Sequence, residues 1–240
     1  MNSAPIGIIG AMASEVVLLK EKMTNIKTEK FAGIEFFCGE LDGVNVVVEQ
    51  CGIGKVCAAM GTQAMIDHFG IRCLIKTGVA GGLKKGLKIG DMVISCDVIQ
   101  HDYDLTAFGY AKGYLAGIGV GDSSKPTRIS ADSGLVDTFK KIAPTILPAD
   151  GWTEGTIVSG DIFVHSNELK QTLIDVFGAA AAEMEGAAIG EVAYLNGVPF
   201  IVIRAISDLA DNSATVSYDE FEKQAARFSA QVVIAMCKAI

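Results

Sequence analysis

The chain has 240 residues, half of them hydrophobic and 20% charged, which is enough for one substantial core. Its formal net charge of −8 argues against nucleic acid or an anionic membrane as partner. No apolar run approaches the ~20 residues that span a bilayer, and the opening MNSAPIGIIGAM lacks the basic and long apolar regions of a signal peptide.

In chain order, the apolar run Ile6–Gly10 predicts a first strand and Ala13–Met23 a helix after it. Gly33–Cys38 and Val44–Cys51 are β-rich and flank Leu41-Asp42-Gly43-Val44, a hairpin signal. Lys55–Phe69 reads as a helix and Arg72–Thr77 as a strand. Gly78-Val79-Ala80-Gly81-Gly82 then reads as a turn in which the backbone can approach a ligand, or as a tight turn and nothing more. Met92–Gln100 is a strand candidate, whereas Asp104 to Arg128 is glycine-rich and aperiodic and reads as a long loop. Helices are expected at Gly134–Ile142 and Glu168–Val176, on either side of a strand at Thr156–Ser159. Gly186–Asn196 is a further helix, leading into the strand Pro199–Ala205. Over Tyr218–Lys238, Phe221, Ala225, Phe228, Val232 and Ala235 recur at three- and four-residue steps, and Ser217 with Glu220 fits a capping box at the helix start. The alternation predicts an α/β fold in three layers, a central mixed β-sheet flanked by helices, as one domain over residues 1–240.

Cys38, Cys51, Cys57, Cys73, Cys96 and Cys237 form no CxxC pair and none sits beside a histidine at metal-ligand spacing. That predicts reduced thiols and a cytoplasmic location. His68, His101 and His165 are scattered, so no metal site is expected. There is no P-loop, no GxGxxG that opens a helix and no GxSxG elbow, and therefore no sign of a nucleotide cofactor or a serine hydrolase. What remains is carboxylates at strand ends. Glu15 follows the first strand, Glu183 and Glu185 flank Met184 before a helix, and Ser207-Asp208 ends the most hydrophobic strand. Such positions are unfavourable for a charge unless it is used, because burial disfavours the ionised form. Each also has a plainer reading. Glu15 suits a helix N-terminus, Glu183 and Glu185 a helix-start cluster, Met184 core filling, and Arg204 a structural ion pair. Phe108 and Tyr110 suit a ligand cover, a subunit contact or local packing.

Taken in order, the strings IGIIGAM before Glu15, GIGKV at Gly52–Val56, TG-AGGL around Thr77–Leu83, GD at Gly90-Asp91 and HDYDLTAFGY at His101–Tyr110 run on into SGDIF at Ser159–Phe163. EMEG at Glu183–Gly186, VPF at Val198–Phe200 and RAISDLAD at Arg204–Asp211 complete the set. The ordered set closely resembles the 5′-methylthioadenosine/S-adenosylhomocysteine nucleosidases of the purine nucleoside phosphorylase superfamily. The resemblance implies hydrolysis of methylthioadenosine, S-adenosylhomocysteine and 5′-deoxyadenosine to adenine and the free sugar, without cofactor, by a homodimer. It implies that Asp208 protonates the purine, Glu15 activates water, and Glu185 binds the ribose hydroxyls above Met184. Phe163 would lie against the purine and the Val164 backbone would read its edge. Met12, Ile53, Val79, Ala80, Gly81, Glu183, Arg204 and Tyr218 would complete the substrate site, and Phe108 would reach the partner's pocket.

Two departures stand out. Val79 replaces a serine frequent in the family, which removes a hydroxyl near the water or Glu15, and Ala116 replaces a loop proline. A phosphorylase is the nearest rival, but Glu15 would repel phosphate and the chain holds only Arg72, Arg128, Arg204 and Arg227 as arginines. A non-catalytic adenosine binder on the same fold, and a nucleosidase for another adenine nucleoside such as aminodeoxyfutalosine, also compete with this reading.

Overall fold

The structure is a computed structural model, and residues 4–240 are described. The first strand, β1 (Ile6–Gly10), is buried at all five positions and leads into α1 (Ala13–Lys22). Three antiparallel strands follow, β2 (Met23–Phe31), β3 (Ile34–Leu41) and β4 (Val44–Gln50). Next come α2 (Lys55–Phe69), β5 (Cys73–Lys76), β6 (Val79–Gly82) and β7 (Met92–Gln100). Beyond the long loop lie the two-residue β8 (Ile129–Ser130), α3 (Ser133–Ile146), β9 (Trp152–Ser159) and α4 (Asn167–Phe177). The chain closes with β10 (Ala179–Glu183), α5 (Gly186–Leu195), β11 (Phe200–Asp208) and α6 (Ala214–Ala239).

The strands form one mixed sheet in the order β2-β3-β4-β1-β5-β11-β6-β10-β9-β7-β8, with a further antiparallel pairing of β7 to β11. That extra pairing rolls β11, β6, β10, β9 and β7 into a small closed barrel, while β2 through β5 stay open. β11 belongs to both parts. Phe200–Val202 pair with β5, Ile203–Ala205 with β7, and Ala205, Ile206 and Asp208 with β6. All nine of its residues are buried, because a strand shared by two sheets and covered on both faces has no solvent side.

Successive residues on the central strands point to opposite layers. Ile8, Val48, Ile75 and Ile203 pack with Val16, Leu19, Leu135, Phe139 and Val233 from α1, α3 and α6. Ile9, Val47, Leu74 and Val202 pack with Ala58, Met65, Ala187 and Ile189 from α2 and α5. Leu173 and Phe177 of α4 cover the barrel. Each fully buried Ile or Leu favours folding by about 1.5–3 kcal/mol, so these two apolar layers can carry polar residues on the strands between them.

The expected three-layer α/β fold is present, with differences in detail. Gly78–Gly82 is not simply a turn, since Val79–Gly82 form β6 and only Gly78, at φ +140°, bends the chain. β10 reads AAAAE, a composition that favours helix, and barrel pairing overrides it. α6 begins at Ala214 rather than Tyr218. Its start is fixed by Ser213, whose amide and hydroxyl both donate to Asp211, and Ser217 sits within the first turn, where its amide donates to the Ser213 carbonyl. The Asp104–Arg128 segment is irregular as expected, apart from a single 3-10 turn at Thr106–Phe108 and the start of its exit toward β8.

Gly190 of α5 marks where helix and barrel touch. A Cβ there would lie 2.7 Å from Val98 Cγ2 and 2.9 Å from the Phe200 ring. Alanine is about 1 kcal/mol better than glycine inside an unencumbered helix. Here overpacking of about 1–3 kcal/mol should dominate. Gly190→Ala is therefore expected to lower the urea midpoint, and a raised midpoint would show that the interface yields.

Candidate active site

Most of the singled-out residues meet in a cleft of about 450 Å³ beyond the ends of β1, β10 and β11 and beside β6, roofed by the first turns of α6. Met12, Glu15, Ile53, Val79, Ala80, Gly81, Phe163, Glu183, Met184, Glu185, Asp208 and Tyr218 all line it. Ligands of open α/β sheets bind at such carboxyl edges.

Glu15 is the third residue of α1 and is buried. Its Oε2 accepts the amides of Ala11 (2.5 Å) and Met12 (3.3 Å), and its Oε1 accepts that of Val79 (3.1 Å). The helix N-terminus adds positive potential at this point. Burial pushes the carboxyl up, but Lys76, Arg204 and the amides of Ala11 and Val79 outweigh it and hold the group below the usual carboxylate range. Gly78 leaves the room for this arrangement, because a Cβ there would strike both Glu15 and Arg204.

Arg204 does not line the cleft. It lies behind it, fully buried, with Nη1 3.5 Å from Glu15 Oε1 and Nη2 3.1 Å from Glu185 Oε2 and in contact with Glu183. Glu183 is wholly engaged. Besides Arg204, it accepts the Ser159 hydroxyl and the amides of Glu185 and Gly186, so it caps α5 and frames the site instead of presenting its oxygens to a ligand. Glu185 has more freedom. Its Oε1 accepts the Gly54 amide at 3.0 Å, and the remaining lone pairs can face a ligand. Burial raises its proton affinity, offset in part by Lys76 and reinforced by Glu15.

Asp208 stands in a different field. A register shift between Ile206 and Asp208 breaks the alternation of β11 and re-aims the side chain. Its Oδ1 accepts the amide of Ala210, which adopts φ +51°, and its Oδ2 accepts the Ser207 hydroxyl at 2.9 Å. No cation pairs with it among the described residues within ion-pair distance. Burial pushes the carboxyl up, and the two hydrogen bonds only partly compensate. The cleft thus holds two carboxyls driven in opposite directions, the pattern that separates a base from an acid.

An aromatic wall completes the cleft. Phe163 meets Tyr218 edge to face, with centroids 5.6 Å apart, and the Tyr218 hydroxyl donates to Met12 Sδ at 3.1 Å. The loop bearing Phe163 is pinned by Asp161, which accepts the Lys55 amide and donates its own to Asp102, itself paired with Lys55 Nζ at 2.6 Å. Val164 is buried beside a small hollow that adjoins the cleft. Phe108 is not at the cleft of its own chain and is 77% exposed on the 3-10 turn. Ala11, Ala182, Thr215 and Asp219 line the site without having been singled out, and Lys76, 3.4 Å from Glu15 Oε2, is the cation that the sequence pattern did not reveal. Its signal was a lysine ending the apolar run CLIK, a position a cation tolerates only when paired. Among the described residues no group of three or more His, Cys, Asp or Glu is placed to hold a metal ion, and no helix is long and apolar enough to cross a membrane.

The profile of the phosphorylase superfamily matches residues 5–238. A protein of Exiguobacterium sp. named 5′-methylthioadenosine/S-adenosylhomocysteine nucleosidase is 43% identical over 234 residues, 97% of each chain. The crystal structure of the nucleosidase of that name from Neisseria meningitidis, in complex with methylthio-immucillin-A, is 42% identical with a TM-score of 0.92, covering 99% of this chain and 100% of that one. A futalosine hydrolase of Helicobacter pylori is 35% identical with a TM-score of 0.90, over 98% of each chain.

The burial of Asp208 has a consequence for stability. A carboxyl whose proton affinity is raised on folding contributes stability at low pH and loses it as pH rises through the folded value. Asp208→Asn keeps an acceptor for the Ala210 amide without the charge. It is expected to stabilise the protein by about 1 kcal/mol at pH 8, as substitutions at strained functional sites commonly do, with the gain vanishing near pH 4. Thermal melts at the two pH values check this, and equal melting temperatures at pH 8 would contradict it.

Proposed function

The chain belongs to the phosphorylase superfamily and, within it, to the 5′-methylthioadenosine/S-adenosylhomocysteine nucleosidases, and on that premise we propose that Asp208 and Glu15 divide its chemistry between them. The enzyme hydrolyses the N-ribosyl bond of these nucleosides. As that bond breaks, adenine departs with the electron pair and the sugar becomes oxocarbenium-like. Asp208, whose proton affinity burial raises, delivers its proton to the five-membered ring of the purine. Glu15, held as an anion, takes a proton from water while the water oxygen bonds the anomeric carbon from the opposite face. Glu185 accepts the ribose hydroxyls, Met184 floors the sugar, Phe163 lies against the purine and the Val164 backbone reads its edge. Met12, Ile53, Tyr218 and the β6 backbone from Val79 to Gly81 shape the rest of the pocket, while Arg204 and Glu183 support it from behind.

One observation carries the choice of water over phosphate. Among the described residues, the cleft is lined by Glu15, Glu183, Glu185, Asp208 and Asp219 and by no lysine, arginine or histidine. A phosphate anion needs cationic donors and would meet carboxylates here. The 5′ group is the least constrained part. Methylthioadenosine, S-adenosylhomocysteine and 5′-deoxyadenosine share the adenine and ribose that these residues would hold. A nucleoside with a different 5′ extension is a second reading, favoured by the likeness to a futalosine hydrolase. The free cysteines support a cytoplasmic setting.

Adenine release from methylthioadenosine in phosphate-free buffer tests the assignment. Wild-type protein should release adenine and free methylthioribose at a rate that added phosphate does not raise. Asp208→Asn should lose about 10²–10⁴-fold in kcat while binding a substrate analogue nearly as well. A phosphate requirement, or equal losses in turnover and binding, would overturn it. We further propose a homodimer in which Phe108, carried outward on its 3-10 turn and away from the cleft of its own chain, reaches the neighbouring pocket. Sedimentation should give a dimer and Phe108→Ala should raise KM for methylthioadenosine more than it lowers kcat; a fully active monomer would refute this.

A further inference from the structure

Lys76 ends β5 and is fully buried. Across the sheet, Ile9 of β1 stands opposite Lys76 on one side and opposite Glu49 of β4 on the other, so the two charged residues flank one isoleucine at the same level. Glu49 is also fully buried, packed against α2 where Gly61 makes room; a Cβ there would lie 2.6 Å from its Oε1. Neither oxygen of Glu49 has a hydrogen-bond partner among the described residues. Burial pushes its carboxyl up to about 8, against the pull of Lys76, a shift toward the uncharged form. The Lys76 ammonium points elsewhere. It is 3.4 Å from Glu15 Oε2 and 3.7 Å from Glu185 Oε2. Val79 offers Glu15 an amide but an apolar side chain, and Arg204 sits at the other oxygen, Oε1.

With the reading of Glu15 as the residue that prepares water as its premise, we propose that Lys76 is a positioning residue whose ammonium holds Glu15 in place and ties it to Glu185, and that Glu49, buried behind it, leaves the ammonium to those two groups. The charge count supports the division. Lys76 and Arg204 face three site carboxylates, Glu15, Glu183 and Glu185, and an ionised Glu49 would add a further unbalanced charge. Cys51, just beyond β4, also feels Lys76, but burial pushes its thiol up to about 12 and it stays neutral. Tyr218 of α6, which feels Glu15, is likewise pushed up to about 12 by burial and neighbouring carboxylates.

The test is the pH dependence of adenine release from methylthioadenosine for wild type, Lys76→Met, the double variant Lys76→Met/Glu49→Leu and Glu15→Gln. Lys76→Met should lose about ten- to a hundredfold in kcat at pH 7, somewhat less than removal of a donor that touches the reacting atoms. Because Lys76 lowers the proton affinity of Glu15, the acid limb of kcat/KM should move to higher pH, and raising the pH should recover part of the loss. Besides the Lys76 change, the double variant removes the buried carboxyl of Glu49, whose oxygens have no hydrogen-bond partner among the described residues and whose burial is therefore unfavourable. It should fold at least as well as Lys76→Met yet keep the same loss and the same displaced limb. Wild-type rates and limb in the double variant would overturn the proposal, as would an unchanged profile in Lys76→Met. Failure of both variants to fold would also overturn it, by making the pair structural. Glu15→Gln separates the two readings. If it is inactive while Lys76→Met is normal, only the role of Lys76 falls. If it turns over normally, the assignment of Glu15 falls and takes this proposal with it.

Discussion

Arg204 is the group on which both fold and site depend. It is among the largest fully buried side chains of the described residues and lies on β11, where the open sheet meets the barrel. Removing a guanidinium from water carries a penalty of several kcal/mol, which only well-placed anions offset. Here the anions come from three elements. Glu15 arrives on α1, Glu183 from the end of β10 and Glu185 from the head of α5. The ion cluster therefore closes only when the amino-terminal βα unit and the barrel are both in place. Even so, burial draws the proton affinity of Arg204 down to about 10, and it remains a cation at neutral pH.

Backbone geometry then sorts the acids. Glu15 and Glu183 sit at helix starts, where free amides donate to them, and both are fixed by several short contacts. Asp208 sits at a strand end, after a register shift, with one amide and one hydroxyl and, among the described residues, no cation within ion-pair distance. The same residue class thus meets two environments within one cleft. An anion-stabilising environment suits a base and a dry, weakly bonded one suits an acid, and the proposed division of labour needs both at one pH.

Much of this was legible in the sequence because local pattern and tertiary demand agree. The apolar runs at Ile6–Gly10 and Pro199–Ala205 were strand candidates by length and apolarity, and carboxylates at their ends had to be either paired or used. Where local preference and packing conflict, the sequence misleads. Ala179–Ala182 has a helical composition but is held extended by β6 and β9 on either side. The Ser217–Glu220 pattern is a good cap, but the Asp211–Ser213 turn starts the helix earlier. The juxtaposition of Lys76 and Glu49 was illegible for another reason. They lie in separate runs, on β5 and β4, and only the register of β1 with both strands brings them to the two sides of Ile9. Register of parallel strands is a property of the assembled sheet and leaves no local signal.

The sign of the charge that faces the ligand follows from the same architecture. Arg204 and Lys76 are both present, but each is engaged by carboxylates that stand between it and the cleft, so the surface a nucleophile meets is acidic. Had either cation reached the cleft, an anion could bind beside the sugar. With both screened, a neutral molecule that needs a proton removed is the better partner. Water fits that description and phosphate does not. In a superfamily whose name refers to phosphate-using enzymes, hydrolysis is thus a question of which side of a buried ion cluster faces the ligand.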